Sequence, residues 1–249
     1  MSILIDGGLD ATSLSQELDS RLPSWQRFLD VLLLTSPRAD HLAGLQDIVT
    51  RYQVGEIIDA GMLHPSTAYA LWRRTISERN LHYVLAVQGT TITVGTQVAL
   101  QIFWPTSQLH KGSDEVRDNS LIVRLIAPGV RMLLLGATAQ SKYALAGLLA
   151  TIPPNSMQAT IVEVVGEVEK QFPNELTEVL QHAHPSFVVV TPSSLSAKLR
   201  KSKATSVLTL PTALSPGASD VSHWQVMQTA QTGTLEFHSG NGGLIVNMT

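Results

Sequence analysis

An aspartate followed directly by a histidine, Asp40-His41, ends a polar loop that comes after the apolar run DVLLL (30–34). Carboxylate and imidazole groups bind divalent metals, and a metal-bound water attacks electrophiles at neutral pH. The apolar residues between 42 and 49 have helical spacing, which predicts that Asp40 stands at the start of a helix. Asp40 has an alternative role as the N-cap of that helix, because its carboxylate would accept hydrogen bonds from the first backbone N–H groups.

The composition restricts the chemistry that the chain can perform. Of its 249 residues, 44% are apolar and 15% are charged, with a formal net charge of −3. These values are typical of a globular chain, and they argue against nucleic-acid binding by charge alone. Cysteine is absent, which excludes disulfides, thiolate metal sites and a cysteine nucleophile. A metal would therefore depend on His, Asp or Glu.

Neither a transmembrane segment nor a secretory signal is predicted. The longest apolar runs, at 30–34 and 131–137, are much shorter than the roughly 20 residues that span a bilayer. The first residues, MSILIDGG, lack a basic segment followed by an apolar stretch. We expect a soluble domain, either cytoplasmic or part of a larger membrane-bound protein.

Short apolar runs rich in β-branched residues recur along the chain and predict strands. They lie at 2–6, 28–35, 55–60, 90–95, 97–104, 120–126, 130–136, 159–165, 186–191 and 233–248. Helices with one apolar face are predicted between some of these strands. They lie at 40–53, 66–80, 141–152 and 174–183. This alternation predicts an α/β fold, and we expect a single domain over 1–249.

The residues DVLLLTSPRADHLAGLQDIVTRYQVGEIID (30–59) resemble the metal-binding corner of the metallo-β-lactamase fold. They are most similar to the C-terminal domain of ComEC-type DNA-internalisation (competence) proteins, in which the central run reads THPDADHIGGL. The segments ILIDGG (3–8), DNSLIVRLIAPGVRMLLLGA (118–137) and ATIVEVVGEVEK (159–170) follow the order of that family. The resemblance implies an αββα sandwich of two mixed β-sheets with flanking helices. It also implies that the family's N-terminal edge strands are missing here.

The same resemblance implies that most of the family's metal ligands are replaced. Asp40 and His41 remain from the HxHxDH run. The replaced ligand positions are Ser36 and Arg38 for the two first histidines, Ala137 for the bridging aspartate, and Gly166 and Glu167 for a histidine pair. Because catalytic zinc sites use three protein ligands, we expect no catalytic residue and no cofactor. Zinc or manganese on a rearranged ligand set is the alternative.

We expect the positive charge of Arg38 to take the place of a bound metal cation. Its guanidinium is a permanent cation close to where the resembled family holds a dication. We expect it to pair with Asp40 or Asp6, so that its removal destabilises the fold.

Three functions are compatible with these residues. The first is a degenerate, non-catalytic metallo-β-lactamase-like domain that serves as a structural or interaction module in DNA uptake. The second is a metal-dependent hydrolase or nuclease with a rearranged ligand set. The third is a metal-free nucleic-acid-binding module whose phosphate contacts come from Lys198, Arg200, Lys201 and Lys203. For that basic cluster, a solvated charged face is the structural alternative.

The expected partners follow from the first function. They are a membrane channel domain of the same system or a second copy of this chain. We expect a dimer partner or an upstream segment to cover the edge of the first strand, Ile3–Asp6. DNA is the alternative partner.

Overall fold

The computed structural model describes residues 1–166, 172–193, 224–229, 234–240 and 243–248. The chain divides into two compact units. The first unit contains Met1–Gln88 and Pro105–Leu121, and the second contains Gly89–Trp104 and Ile122–Thr249. No helix among the described residues is both long and apolar enough to cross a bilayer.

The first unit is built on a four-stranded parallel sheet. Its strands follow one another across the sheet in chain order: β1 (Ile3–Ile5), β2 (Phe28–Leu34), β3 (Gln53–Asp59) and β4 (Tyr83–Leu85). Five helices lie in this unit: α1 (Ala11–Arg21), α2 (Ala39–Leu42), α3 (Leu45–Arg51), α4 (Thr67–Glu78) and α5 (Glu115–Asp118). Because the strands are parallel, the loops that follow them all leave from the same edge of the sheet.

The sequence of β2 explains its central place in this sheet. Leu29, Val31 and the run from Leu32 to Leu34 are all buried, as expected for a strand that is covered on both faces. The adjoining core includes Trp72 and Tyr69 of α4. This rigid strand fixes the position of the loop that carries Asp40 and His41.

The predicted helix at 40–53 is in fact two helices. Helix α2 ends at Leu42 and α3 begins at Leu45, with Gly44 between them. A Cβ on Gly44 would lie 2.0 Å from the carbonyl oxygen of Gly7, so a side chain has no room there. The backbone N–H of Gly7 donates to the carbonyl of His41 over 2.6 Å, which fastens the loop after β1 to α2.

Asp40 does not serve as the N-cap of this helix, so that prediction is wrong. The N-cap residue of α2 is Arg38, and Asp40 lies inside the first turn. The helix begins at Ala39, one residue before the predicted start at 40, so Asp40 already belongs to it. The side chain of Asp40 is therefore available for another contact.

The second unit is built on a seven-stranded mixed sheet with the order β11-β10-β9-β8-β7-β6-β5. Its strands are β5 (Thr91–Val94), β6 (Val98–Trp104), β7 (Ile122–Ala127), β8 (Val130–Gly136), β9 (Ile161–Gly166), β10 (Phe187–Pro192) and β11 (Gln225–Gln228). Neighbours from β5 to β8 are antiparallel, and those from β8 to β11 are parallel. Helices α6 (Lys142–Thr151) and α7 (Asn174–Ala183) contribute buried residues to the core of this unit.

A separate antiparallel hairpin is formed by β12 (Leu235–Gly240) and β13 (Gly243–Met248). The apolar runs near 90–104, 120–136 and 233–248 each form an antiparallel pair of strands. The expected α/β class, with several sheets and flanking helices, is confirmed.

Candidate functional site

The loops after β1 and β2 bring Asp6, Thr35 and His41 together. Asp6 Oδ1 accepts a hydrogen bond from the Thr35 backbone N–H over 2.8 Å, and Asp6 Oδ2 accepts one from the Thr35 hydroxyl over 2.6 Å. The His41 Nδ1 lies 2.8 Å from the same Oδ2. Because a carboxylate only accepts hydrogen bonds, Nδ1 carries a proton and donates it to Asp6. The His41 ring is thereby fixed in one orientation, with Nε2 on the side of Asp40, 3.9 Å from Oδ1.

Asp40 is held by Arg38 from two residues away. The Arg38 Nε donates to Asp40 Oδ1 over 3.0 Å, and a terminal guanidinium nitrogen donates to Oδ2 over 3.1 Å. The side chains are only 21% and 10% exposed. Such a two-bond fork is the strongest form of the arginine–carboxylate pair. The expected pairing of Arg38 with Asp40 is confirmed, while Asp6 takes His41 as its partner.

These residues do not fit a zinc or di-iron centre. Both oxygens of Asp40 are bonded to Arg38, and the Nδ1 of His41 is bonded to Asp6. Across the part of the chain that the structure describes, no group of three or more His, Asp or Glu side chains is placed to hold a metal ion.

The remaining predicted site residues lie in different places. Ser36 is buried in the first unit, in the loop between β2 and α2. Ala137 directly follows β8 and Gly166 ends β9, both in the second unit. Five predicted residues lie outside the described part of the chain: Glu167, Lys198, Arg200, Lys201 and Lys203.

A second cluster, centred on Asp59, was missed by sequence reasoning. Asp59 is the last residue of β3 and is only 3% exposed. One of its oxygens accepts hydrogen bonds from the Tyr83 hydroxyl and from the Gly61 N–H, the latter over 2.6 Å. The Arg73 guanidinium lies over the Tyr83 ring at 4.3 Å, and its NH1 is 3.9 Å from the other Asp59 oxygen. The signal in the sequence was an aspartate that ends a buried apolar strand.

Burial dominates the ionisation of this cluster. It raises the pKa of Asp59 above the usual value of 3.8, and the Tyr83 hydroxyl, the Gly61 N–H and Arg73 act in the opposite direction. Burial, followed by the charge of Asp59, raises the pKa of Tyr69 to about 12. The Tyr69 hydroxyl therefore keeps its proton at neutral pH.

A small cavity of about 10 Å³, enough for about one water, lies beside this cluster in the first unit. The ends of β2 and β3 and the loops that follow them form it, and Tyr69 of α4 adds one wall. Ser36 and Asp59 are among its lining residues, and Ser36 Oγ and Asp59 Oδ2 are buried without a hydrogen-bond partner among the protein atoms.

No protein-family profile matches the sequence, and no curated protein matches it. Several solved structures resemble the fold. CmlA from Streptomyces venezuelae, a di-iron β-hydroxylase, is 16% identical with a TM-score of 0.46, over 69% of this chain and 36% of CmlA. Zinc-bound PqqB from Methylobacterium extorquens is 14% identical with a TM-score of 0.44, over 67% of this chain and 57% of PqqB. The Rm3 metallo-β-lactamase is 17% identical with a TM-score of 0.41, over 65% of this chain and 66% of Rm3.

The solved structures similar to this chain are metallo-β-lactamase-fold proteins. The matched region spans little more than a third of CmlA and 57% of PqqB. CmlA is a di-iron enzyme and PqqB holds Zn²⁺, so the expectation of no cofactor is wrong and is corrected. The resemblance to the ComEC-type domain stays a prediction.

The Arg38–Asp40 pair yields a stability prediction. Replacing Arg38 with Ala leaves the mostly buried Asp40 carboxylate without its cation, and we expect a loss of about 2 kcal/mol in the free energy of unfolding. Urea denaturation measures this loss. The control is Arg74→Ala, whose ion pair with Glu78 is well exposed and should contribute less than about 0.5 kcal/mol. Equal losses in the two variants would contradict the prediction.

The raised pKa of Asp59 yields a prediction about pH. The folded protein holds this proton more tightly than the unfolded chain, so the stability it contributes is complete below pH 3.8 and is lost as the pH rises through the raised pKa. Relative to Asp59→Asn, the unfolding free energy of the natural chain should therefore fall as the pH rises above 3.8 and through the raised pKa of Asp59.

Urea denaturation at several pH values tests this. Tyr83→Phe removes a hydroxyl that lowers the pKa of Asp59, so the loss should extend to higher pH in that variant. A difference between the natural chain and Asp59→Asn that stays constant with pH would show the prediction to be wrong.

Proposed function

We propose that this chain is a non-catalytic metallo-β-lactamase-like module that acts through structure or interaction and not through hydrolysis. The observation that supports this most directly is the two-bond contact of Arg38 with Asp40. In the resembled family, the position of Arg38 is a metal-binding histidine. Here the same position carries a cation that engages both oxygens of the adjacent carboxylate.

The charges explain why this contact opposes hydrolysis. A dication that approached Asp40 would have to displace the guanidinium, and the two cations repel each other strongly in a partly buried site. Hydrolysis by this fold depends on a metal-activated water, which must be held between ligands. Asp40 and His41 are instead committed to contacts that stabilise the loop.

A place in DNA uptake is the further part of the proposal. Its support is the order of the ComEC-like motifs along the chain, from ILIDGG at 3–8 to ATIVEVVGEVEK at 159–170. The partner that this implies is a membrane channel domain of the same system or a second copy of the chain. Strand β1 is an edge strand, paired with β2 alone among the described strands, and it offers backbone groups to such a partner.

The experiment measures metal-dependent turnover and zinc affinity together. The natural chain with added Zn²⁺ or Mn²⁺ should hydrolyse bis(p-nitrophenyl) phosphate and single-stranded DNA no faster than Asp40→Ala does. The double variant Ser36→His with Arg38→His, which restores the family's two histidines and removes the cation, should bind zinc at least about tenfold more tightly than the natural chain.

Arg74→His is the control for an added histidine, since Arg74 is exposed and distant in sequence from Asp40. Metal-stimulated turnover by the natural chain that disappears in Asp40→Ala would overturn the proposal in favour of the hydrolase. Equal zinc affinity in the natural chain and the double variant would show that Arg38 does not compete with metal.

A further inference from the structure

Two arginines, Arg124 and Arg131, lie on one face of the seven-stranded sheet in the second unit. Arg124 of β7 pairs with Leu133 of β8, and Arg131 of β8 pairs with Ile126, two residues beyond Arg124. Because residues two apart on a strand point to the same face, both arginines project from the face that carries Leu133 and Ile126. Such diagonal neighbours in an antiparallel pair are about 7 to 8 Å apart, a distance that long side chains span.

Strands β5 and β6 continue this face with uncharged side chains. Gln101 of β6 lies opposite Arg124, and Ala99 of β6 lies opposite Ile126. Thr91 and Thr93 of β5 extend the same two rows. Both threonines and Arg131 are exposed, whereas Arg124 and Gln101 are half-buried. A dissolved molecule can therefore reach this part of the sheet face.

The charges of the two arginines are not compensated by the described part of the chain. Neither arginine takes part in an ion pair among the described residues. Arg124 Nη1 lies 3.5 Å from the Oε1 of Gln101, and Arg124 Nε is buried without a hydrogen-bond partner. Burial, followed by the positive charge of Arg131, lowers the pKa of Arg124. Since partly buried charges are normally paired, these observations point to an anion from solution.

The number of charges indicates the kind of anion. Guanidinium groups form two-bond forks with carboxylates and with phosphates, so fork geometry alone does not discriminate between them. Two arginines match an anion with two negative charges. A phosphate monoester approaches that charge at neutral pH and presents three acceptor oxygens around one atom, so a single group can accept hydrogen bonds from both arginines.

The neutral neighbours also suit a phosphate group. Because the Oε1 of Gln101 faces Arg124, its amide NH₂ group remains as a third donor. The two rows contain no aromatic side chain, so a nucleic-acid base would have no ring to stack on. This composition favours a small phosphate over a nucleic-acid strand.

We propose that Arg124 and Arg131 form a binding site for a phosphate dianion, either inorganic phosphate or the head group of a small phosphate monoester. The terminal guanidinium nitrogens of both arginines contact the phosphate oxygens, and the Gln101 amide adds a hydrogen bond. The site uses neither Asp40 nor His41 and needs no metal. It therefore goes beyond the proposed function, and either can fail without the other.

The test titrates four small anions into the full chain, at constant ionic strength and with EDTA present. The probes are inorganic phosphate, methyl phosphate, dimethyl phosphate and malonate. Binding is followed by NMR of arginine labelled with ¹³C at Cζ, with the two signals assigned by Arg124→Lys and Arg131→Lys. Arg74, which is exposed in the first unit and pairs with Glu78, is the internal reference.

We expect inorganic phosphate to shift the Arg124 and Arg131 signals saturably at millimolar concentration while leaving Arg74 unchanged. Dimethyl phosphate lacks the second charge, and malonate divides its charges between two carboxylates, so each should bind at least about fivefold more weakly. Methyl phosphate distinguishes the two sources. Affinity equal to that of inorganic phosphate would indicate a monoester ligand, and affinity about tenfold lower would indicate free phosphate.

Arg131→Gln removes one of the two cations and should weaken phosphate binding at least about fivefold. Arg131 is exposed, and its loss relieves the repulsion on Arg124, so the urea midpoint of this variant should not fall below that of the natural chain. Arg74→Gln is the matched control for the loss of an exposed arginine, and it should bind phosphate as the natural chain does.

Three outcomes would overturn the proposal. The first is the absence of a saturable shift of the Arg124 and Arg131 signals with inorganic phosphate. The second is binding of dimethyl phosphate or malonate as tight as that of phosphate, which would mean that any anion is attracted by charge alone. The third is undiminished phosphate binding by Arg131→Gln, which would remove this arginine from the site.

Discussion

A mostly buried carboxylate must have its charge compensated, and the corner between β2 and α2 is organised by that requirement. Asp40 obtains its cation from Arg38, through a fork that uses both carboxylate oxygens. The ring of its neighbour His41 is oriented by a hydrogen bond to Asp6. Asp6 also accepts hydrogen bonds from the backbone N–H and the hydroxyl of Thr35. The Arg38–Asp40 and His41–Asp6 contacts therefore stabilise the loops after β1 and β2.

The next strand faces the same requirement and meets it differently. Asp59, at the end of β3, is more deeply buried than Asp40 and has no forked partner. A tyrosine hydroxyl and a backbone N–H serve one oxygen, and Arg73 stands at a distance from the other. Burial consequently raises the pKa of Asp59, and one of its oxygens makes no hydrogen bond. The segment after β2 thus carries a forked ion pair, whereas the end of β3 carries a buried carboxylate that is only partly satisfied.

Sequence reasoning predicted what depends on neighbouring residues. The strands at 28–34 and 130–136 were evident from their apolar runs, and the Arg38–Asp40 pair followed from residues two positions apart. The break between α2 and α3 was not predictable in this way, because it accompanies the contact of Gly44 with Gly7, 37 residues away. The Asp59 cluster escaped for the same reason, since Tyr83 lies 24 residues further along the chain. The expectation of no cofactor, which came from counting metal ligands, was wrong, because the similar structures include a di-iron enzyme and a zinc-bound protein.

Arg38 and Asp40 should be energetically coupled if their forked contact organises this corner of the fold. A double-mutant cycle with Arg38→Ala and Asp40→Asn measures this coupling from four urea denaturation curves. We expect a coupling free energy of at least about 1.5 kcal/mol, because the pair is forked and mostly buried. A coupling below about 0.3 kcal/mol, which is within the range of independent sites, would contradict the account.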